Sequence, residues 1–352
     1  MGFDDAGAEV RLQLALASAI MYARGLAPEA DGAWDLALTL ADRSDDADCQ
    51  LRALWGRAVY DLHAGRPARS VRSLGLFLDL CRTLSDQSAA PDGERLLSAA
   101  EMYLGDLRGA KARAQRLSDL YLKAGQPLRN ARFQLERGAA LNSTIAMLSW
   151  LTGERSTAVA LAEDTVRTAL ASGHAVSLCN VLSLAACPIA LWEGRSDDAE
   201  RYLALLQEQL KGARLKLWAQ YGRCLEGAVL IQRNGAAGLE VLEHAIEDFL
   251  ATGSATPAPA YMGMLAEAQA RHGRIDEAMR SIENAVVCEA TQGERWCLPE
   301  LLRIEAAIRV LQGEFDVAEK LLRRSIALAE EIGATTWALR SGNDLASLER
   351  VS

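Results

Sequence analysis

The sequence predicts an all-α solenoid: a right-handed superhelix of about eight antiparallel helix pairs, closed by a C-terminal capping helix. Three observations predict it. A glycine is followed five residues later by a small residue, repeatedly, at Gly65/Ser70, Gly105/Ala110, Gly153/Ala158, Gly194/Ala199, Gly273/Ala278 and Gly313/Ala318. A second set, Gly125, Gly173, Gly212, Gly253, Gly293 and Gly333, falls about halfway between, so one short supersecondary unit repeats along the chain. Half of the 352 residues are apolar but only 5% are aromatic, a balance that favours helices over strands. A chain of this length would normally split into two cores, but a repeat array escapes that limit because each unit needs only its neighbours.

The first pair turns near Gly25, with Ala33 inside its second helix. Its first helix starts on Leu12, Leu14, Ala15, Ile20 and Met21 with no polar cap, and such an end needs something to cover it. The next turns fall at Gly65 and Gly105, 40 residues apart, and the step to Gly153 is 48, which places a longer connection around 126–137. Steps of 41 residues lead to Gly194 and then Gly235. In the fifth pair, Pro188 interrupts the helical run from Ser183 to Trp192 and should kink it. The sixth unit, Asn234-Gly235-Ala236-Ala237-Gly238, brings its small residue early, as if one residue were deleted.

In the seventh pair, Met262, Leu265, Ala266 and Gln269 share a helical face up to His272-Gly273, where glycine at φ > 0 stops the helix. Asp276 and Glu277 then sit near the positive end of the second helix, and Ala278, Ile282 and Ala285 form its apolar stripe. A small residue at 278 lets two antiparallel helices approach closely. The eighth pair repeats this grammar, with Leu301, Leu302, Ile304, Ala306 and Ile308, a turn at Gln312-Gly313, then Ala318, Leu322 and Ile326. A last helix, from about Thr335 to Glu349, carries Asp344, Glu349 and Arg350 and suits a solvated cap. Residues 1–352 are expected to form a single array.

Composition excludes several function classes. The net charge is -9, with 47 acidic residues against 38 basic ones, and a surface of that sign repels phosphate backbones. Seven cysteines, at 49, 81, 179, 187, 224, 288 and 297, form no C-x-x-C pair and read as small hydrophobes in a reducing compartment. The start Met1-Gly2-Phe3-Asp4-Asp5 is acidic, unlike a secretory signal, and no apolar run is read as approaching the roughly 18 residues of a membrane span. A cytoplasmic location is expected. The four histidines, at 63, 174, 244 and 272, are scattered without metal-site spacing; His63 and His272 precede turn glycines, where a cation favours the helix dipole. Cys179 and Cys187 share a face but lack a histidine partner in their helix. The run Ser44-Asp45-Asp46-Ala47-Asp48 reads as a cap for the next helix. No catalytic, cofactor or metal residues are expected, and no enzyme.

The stretches Gly273-Arg-Ile-Asp-Glu-Ala278 and Gly194-Arg-Ser-Asp-Asp-Ala199 are close to the turn consensus of the tetratricopeptide repeat, which the units resemble. Their period near 40 departs from that repeat's usual spacing of about 34. A more specific likeness lies in Thr291-Gln-Gly-Glu-Arg-Trp296-Cys-Leu-Pro299-Glu300-Leu301-Leu-Arg303 and Gly333-Ala-Thr-Thr-Trp337-Ala-Leu-Arg340. It resembles the C-terminal repeat region of large bacterial signalling ATPases, which join a winged-helix DNA-binding domain or a class III adenylate cyclase domain to an ATPase module and such an array. The likeness covers essentially the whole chain and is strongest from about residue 260. No G-x-x-x-x-G-K-[ST] loop, basic recognition helix or cyclase-like domain occurs here, so those families' ATP-binding and effector residues have no counterpart. The resemblance implies the sensor or scaffold part, with an N-terminal ATPase or effector domain, or another partner, covering the first helix.

The expected function is non-catalytic protein–protein recognition in a bacterial signalling or transcription-regulatory system, a protein or peptide lying in the concave groove lined by the first helices. Helical geometry places Glu267, Arg271, Glu300 and Arg303 toward that groove, and reversing Arg271 and Arg303 together should weaken partner capture without changing helical content. The tryptophans at 34, 55, 150, 192, 218, 296 and 337 read as packing between repeats. An alternative makes the chain a small-molecule-sensing regulatory module of an attached or co-expressed ATPase, with Trp150, Trp192 and the bend at Pro188 marking a pocket.

Overall fold

A computed structural model describes residues 5–124, 133 and 135–350. Consecutive helices pair antiparallel: α1 (Asp5–Arg24) with α2 (Pro28–Asp42), α3 (Ala47–His63) with α4 (Pro67–Thr83), α5 (Ala90–Leu104) with α6 (Leu107–Ala124), and α7 (Arg137–Leu151) with α8 (Arg155–Ser172). The fifth pair sets α9 (Ala175–Val181), a π-helical turn (Leu182–Ala186) and α10 (Cys187–Trp192) against α11 (Ser196–Leu210). Then come α12 (Lys216–Asn234) with α13 (Ala237–Ala251), α14 (Ala258–Arg271) with α15 (Ile275–Gln292), α16 (Leu298–Leu311) with α17 (Phe315–Ile332), and the final α18 (Thr335–Leu348). No strand occurs among the described residues. The fold is an all-α, tetratricopeptide-like solenoid, as the glycine cadence predicts.

The cadence works through backbone and packing together. At Gly105 the φ of 90° ends α5 in a left-handed conformation that a Cβ would strain. The small residues five positions after the turn glycines, Ser70, Ala110, Ala158, Ala199, Ala278 and Ala318, are all 0% exposed, each lying where its helix crosses its neighbours. The shortened sixth unit is compensated by glycines on both helices: a Cβ on Gly227 would stand 2.6 Å from the Leu242 Cα, and one on Gly238 2.4 Å from the Ile231 nitrogen.

Local chemistry explains the other boundaries. Asp46 caps α3, its Oδ1 accepting from the backbone N–H of Asp48 at 3.0 Å and of Cys49 at 3.2 Å. Pro188 has no N–H to give and crowds the preceding turn; the helix answers by widening to a π turn, in which the Cys187 N–H reaches back to the Leu182 carbonyl. Most of the expected connection at 126–137 lies outside the described residues. At its far end Arg137 is held by Asp92 through bonds of 2.9, 3.1 and 2.6 Å.

The superhelix closes on itself, and this the sequence does not announce. The His63 carbonyl accepts from the N–H of Ala255 at 3.0 Å and of Thr256 at 3.3 Å, and the Tyr103 carbonyl from the N–H of Arg295 at 2.9 Å. The Thr336 hydroxyl donates to the Trp150 carbonyl. Pair two therefore meets the start of pair seven, pair three the start of pair eight, and pair four the start of α18. One contiguous buried cluster runs from Val10 to Trp337.

Closure corrects two expectations. The first helix is not bare: α1 packs against α12 and buries Leu14, Ala17 and Met21, while Leu12 and Leu16 stay 72% and 47% exposed. Nor is the chain without a long apolar run. Ala175–Trp192 spans 18 residues at a mean hydropathy of 1.8, enough by length and composition to cross a membrane, but 72% of it is buried within the array. That is the burial of a core helix.

Candidate functional site

The inner wall is built by the first helix of each pair, and in the C-terminal half α10, α12, α14, α16 and α18 enclose a cleft on it. This pocket, about 320 Å³, is lined by Trp192, Gln232, Met264, Glu267, Arg271, Glu300, Trp337 and Arg340, among others. The helices reach it because their apolar stripes face the neighbouring pairs, leaving the adjacent turn of residues on the concave side. The two stretches that carry the sequence resemblance, around Trp296–Arg303 and Trp337–Arg340, meet here.

Aromatic rings floor the pocket. Trp150 stacks on Trp192 with ring centroids 4.7 Å apart and meets Trp337 edge-on at 4.6 Å; Trp192 lies 5.6 Å from Trp337 and 6.0 Å from Trp296. Trp150 is fully buried and donates its Nε1–H to Glu193 at 2.7 Å, so it supports the floor from behind. Trp192 is half-buried and faces the pocket. The packing role expected for the tryptophans is what these contacts show.

A network of ions forms one side. Arg303 donates to Glu300 at 2.9 Å through both Nε and Nη2, to Glu267 at 2.8 Å and to Asp344 at 2.9 Å. Arg271 bonds Glu267 and Arg340 bonds Glu300, each at 3.1 Å. Three carboxylates thus face three guanidinium groups, and the network is electrically neutral. Burial alone would raise the Glu267 carboxyl, but Arg303 and Arg271 outweigh it and hold it below its ordinary range. Burial likewise opposes the charge of Arg303, yet Glu300 and Glu267 drive its pKa well above the ordinary value.

The structure brings Glu267, Arg271, Glu300 and Trp192 to the pocket, with Trp150 and Arg303 behind. It changes what can be asked of Arg303. That side chain is only 7% exposed and is enclosed by carboxylates, so reversing it would strand like charges in the interior at a cost in stability. Arg271, 66% exposed, is the accessible cation. Sequence reasoning missed Gln232, Met264, Trp337 and Arg340 as pocket residues. Arg340 and Trp337 stood in the resemblance motif, which was the available signal.

Other candidates resolve as packing. The half-buried His63 ring packs against Trp218 and Tyr221, and desolvation there lowers its pKa to about 4. It is neutral, so it does not serve the helix dipole as a cation. Its Nδ1 lies 2.7 Å from the Tyr221 hydroxyl, whose own proton goes to the Thr256 carbonyl at 2.7 Å; Nδ1 therefore carries the proton. All seven cysteines are free and six are buried. Burial pushes the Cys179 and Cys187 thiols up to about 12, far from the thiolate form a nucleophile needs.

No protein-family profile matches this chain, and no curated protein does. Among solved structures it is similar to the Rap conjugation gene regulator of the plasmid pLS20, in complex with the Phr* peptide, at 12% identity and a TM-score of 0.58, over 94% of this chain and 98% of that one. It is also similar to a signal transduction ATPase with numerous domains and a tetratricopeptide repeat sensor from Pyrococcus horikoshii, at 13% identity and a TM-score of 0.50. That match covers 97% of this chain and 48% of the ATPase, so the chain spans about half the ATPase's length. At these identities the likeness establishes the fold.

Proposed function

We propose that this chain is a non-catalytic protein-interaction module of a regulatory system, and that the pocket between α10 and α18 takes an extended peptide. One observation carries the reading. Two polar groups of the pocket residues, the Trp337 Nε1–H and the Gln232 Oε1, are buried without a hydrogen-bond partner among the described residues, beside a cleft floored by aromatic rings. An unmet buried donor and acceptor cost free energy, and a peptide unit offers the matching C=O and N–H. Trp192 supplies a flat apolar contact of the kind that anchors interfaces. Arg271 and Arg340 stand at the rim, where charge sets partner choice.

The same reading places the exposed Leu12 and Leu16 on α1 under an attached effector or ATPase domain, or a separate partner, in a cytoplasmic setting. The winged-helix or adenylate-cyclase context of the resembling bacterial proteins belongs to this proposal. Panning a displayed random-peptide library on the full chain tests it. Enriched peptides should bind at least about tenfold more weakly to Trp192→Ala and to Arg271→Glu, as losses at anchor positions do. A library that yields no enrichment, or peptides that bind both variants as well as the parent, overturns it.

A further inference from the structure

Four arginines are buried among the described residues: Arg57, Arg95, Arg137 and Arg303. Three are matched by carboxylates. Arg57 pairs with Asp61 at 2.9 Å and with Asp31 and Asp35 at 2.7 and 2.8 Å, Arg137 with Asp92 at 2.6 Å, and Arg303 with Glu300 and Glu267. Arg95 on α5 is 4% exposed and makes no ion pair or hydrogen bond among the described residues, its Nε standing as an unmet buried donor. The carboxylate one turn away, Asp92, is already engaged by Arg137.

Arg95 faces a cavity of about 70 Å³ lined by the first helices of pairs two to six. The wall is mostly apolar, with Trp55, Leu96 and Met147 among its residues. Its polar groups sort by what they have left to give. The Ser143 and Thr144 hydroxyls spend their protons on the carbonyls of Ala139 and Ala140, and Tyr221 spends its proton on Thr256. The Asn180 amide and the Tyr103 hydroxyl line the same cavity and make no hydrogen bond among the described residues. The cavity therefore offers a buried cation and unused donors inside an apolar shell, and no carboxylate lines it among the described residues.

We infer that this cavity is a binding site for a small monocarboxylate, acetate- to propionate-sized, whose charge is matched by the Arg95 guanidinium. The size follows from volume: a cavity of about 150 Å³ takes benzene, and this one holds about half that. The sign follows from the uncompensated guanidinium, because a buried unpaired charge costs several kcal/mol that a matching ion removes. The apolar wall accommodates a short alkyl body and discriminates against hydrated inorganic anions. This site is separate from the peptide pocket and stands whether or not that reading holds.

Thermal unfolding and calorimetric titration of the full chain test it, with acetate and propionate against acetamide and propionamide, and sodium chloride at matched ionic strength. The carboxylates should raise Tm saturably, as a ligand of the native state does; the neutral amides and chloride should not. Arg95→Met should weaken carboxylate binding by about 100-fold while melting at or above the parent's temperature without ligand, since it removes an unpaired charge. Ala99→Leu, which fills the cavity and leaves the charge in place, should also abolish the response. Equal shifts with acetate and acetamide, equal shifts with chloride, a carboxylate response that survives Ala99→Leu, or an Arg95→Met chain that is unfolded or melts well below the parent would each overturn the inference.

Discussion

Single residues in this array are decided by who neutralises them. Arg303 stabilises the wall only as part of a set, so Arg303→Met leaves Glu267 and Glu300 close together without their shared cation, each keeping only its rim arginine, Arg271 or Arg340. Breaking a buried pair from one side costs about 3–5 kcal/mol, and urea unfolding of the variant should show a loss of that size; a loss under 1 kcal/mol would mean that the network is solvated. Glu289 tests the opposite case. Burial and then the neighbouring Glu294 raise its pKa from an ordinary 4.5 to about 8. A carboxyl raised in the native state favours folding fully below its unfolded value and loses that contribution as pH rises through the folded one. Glu289→Gln should therefore match the parent near pH 4.5 and exceed it increasingly toward pH 8, by roughly 1–3 kcal/mol. A variant whose stability difference is flat across that range would refute this assignment. The position of residues 267, 271 and 300 beside the pocket was legible because a recognised unit sets the helical face of each. The burial of Arg303 was not, because it depends on Asp344, 41 residues away, whose place beside it no local period reveals.

At the scale of the element, glycine has two meanings that sequence alone does not separate. Gly75 lies in the interior of α4 with nothing within 4 Å of where a Cβ would stand. Gly75→Ala should raise stability by about 0.5–1 kcal/mol, through a better helix propensity and a less free unfolded chain. A Cβ on Gly227 in α12 would stand 2.6 to 2.7 Å from the backbone of Leu242, where no rotamer change can make room. Gly227→Ala should separate α12 from α13 and cost about 1–3 kcal/mol, the range for forced overpacking. Denaturation midpoints of the two variants that move in the same direction would contradict the packing described. The turn glycines announced nearly every helix boundary, and Pro188 announced a disturbance in the fifth pair. What the proline could not announce was that the helix would absorb it by one π turn and continue to Trp192.

At the scale of the molecule, closure sets this chain apart from an open solenoid. In an open array each repeat contacts only its neighbours, and destabilisation spreads along the chain one interface at a time. Here the superhelical turns meet through ring contacts and through backbone groups, the carbonyls of His63 and Tyr103 receiving the N–H groups of Ala255 and Arg295. Backbone groups carry no sequence signature, so closure was invisible beforehand, and with it the cover that α12 gives α1. The consequence is a mechanical link between distant pairs. Trp337 on α18 packs 4.6 Å from Trp150 on α7, and Trp337→Ala should cost about 3–5 kcal/mol. Hydrogen exchange in that variant should accelerate in α16 to α18 and also in α7, while α13, which lies between them in sequence, keeps its protection. An open solenoid would transmit the change through pairs eight, seven, six and five before it reached pair four, so α13 would loosen before α7. Acceleration confined to α16–α18, or spreading to α7 only together with α13, would show that the turns do not bear on one another. Selective loosening of α7 would mean that a ligand seated near Trp337 is felt directly in the N-terminal half, which is the coupling a sensor arm needs.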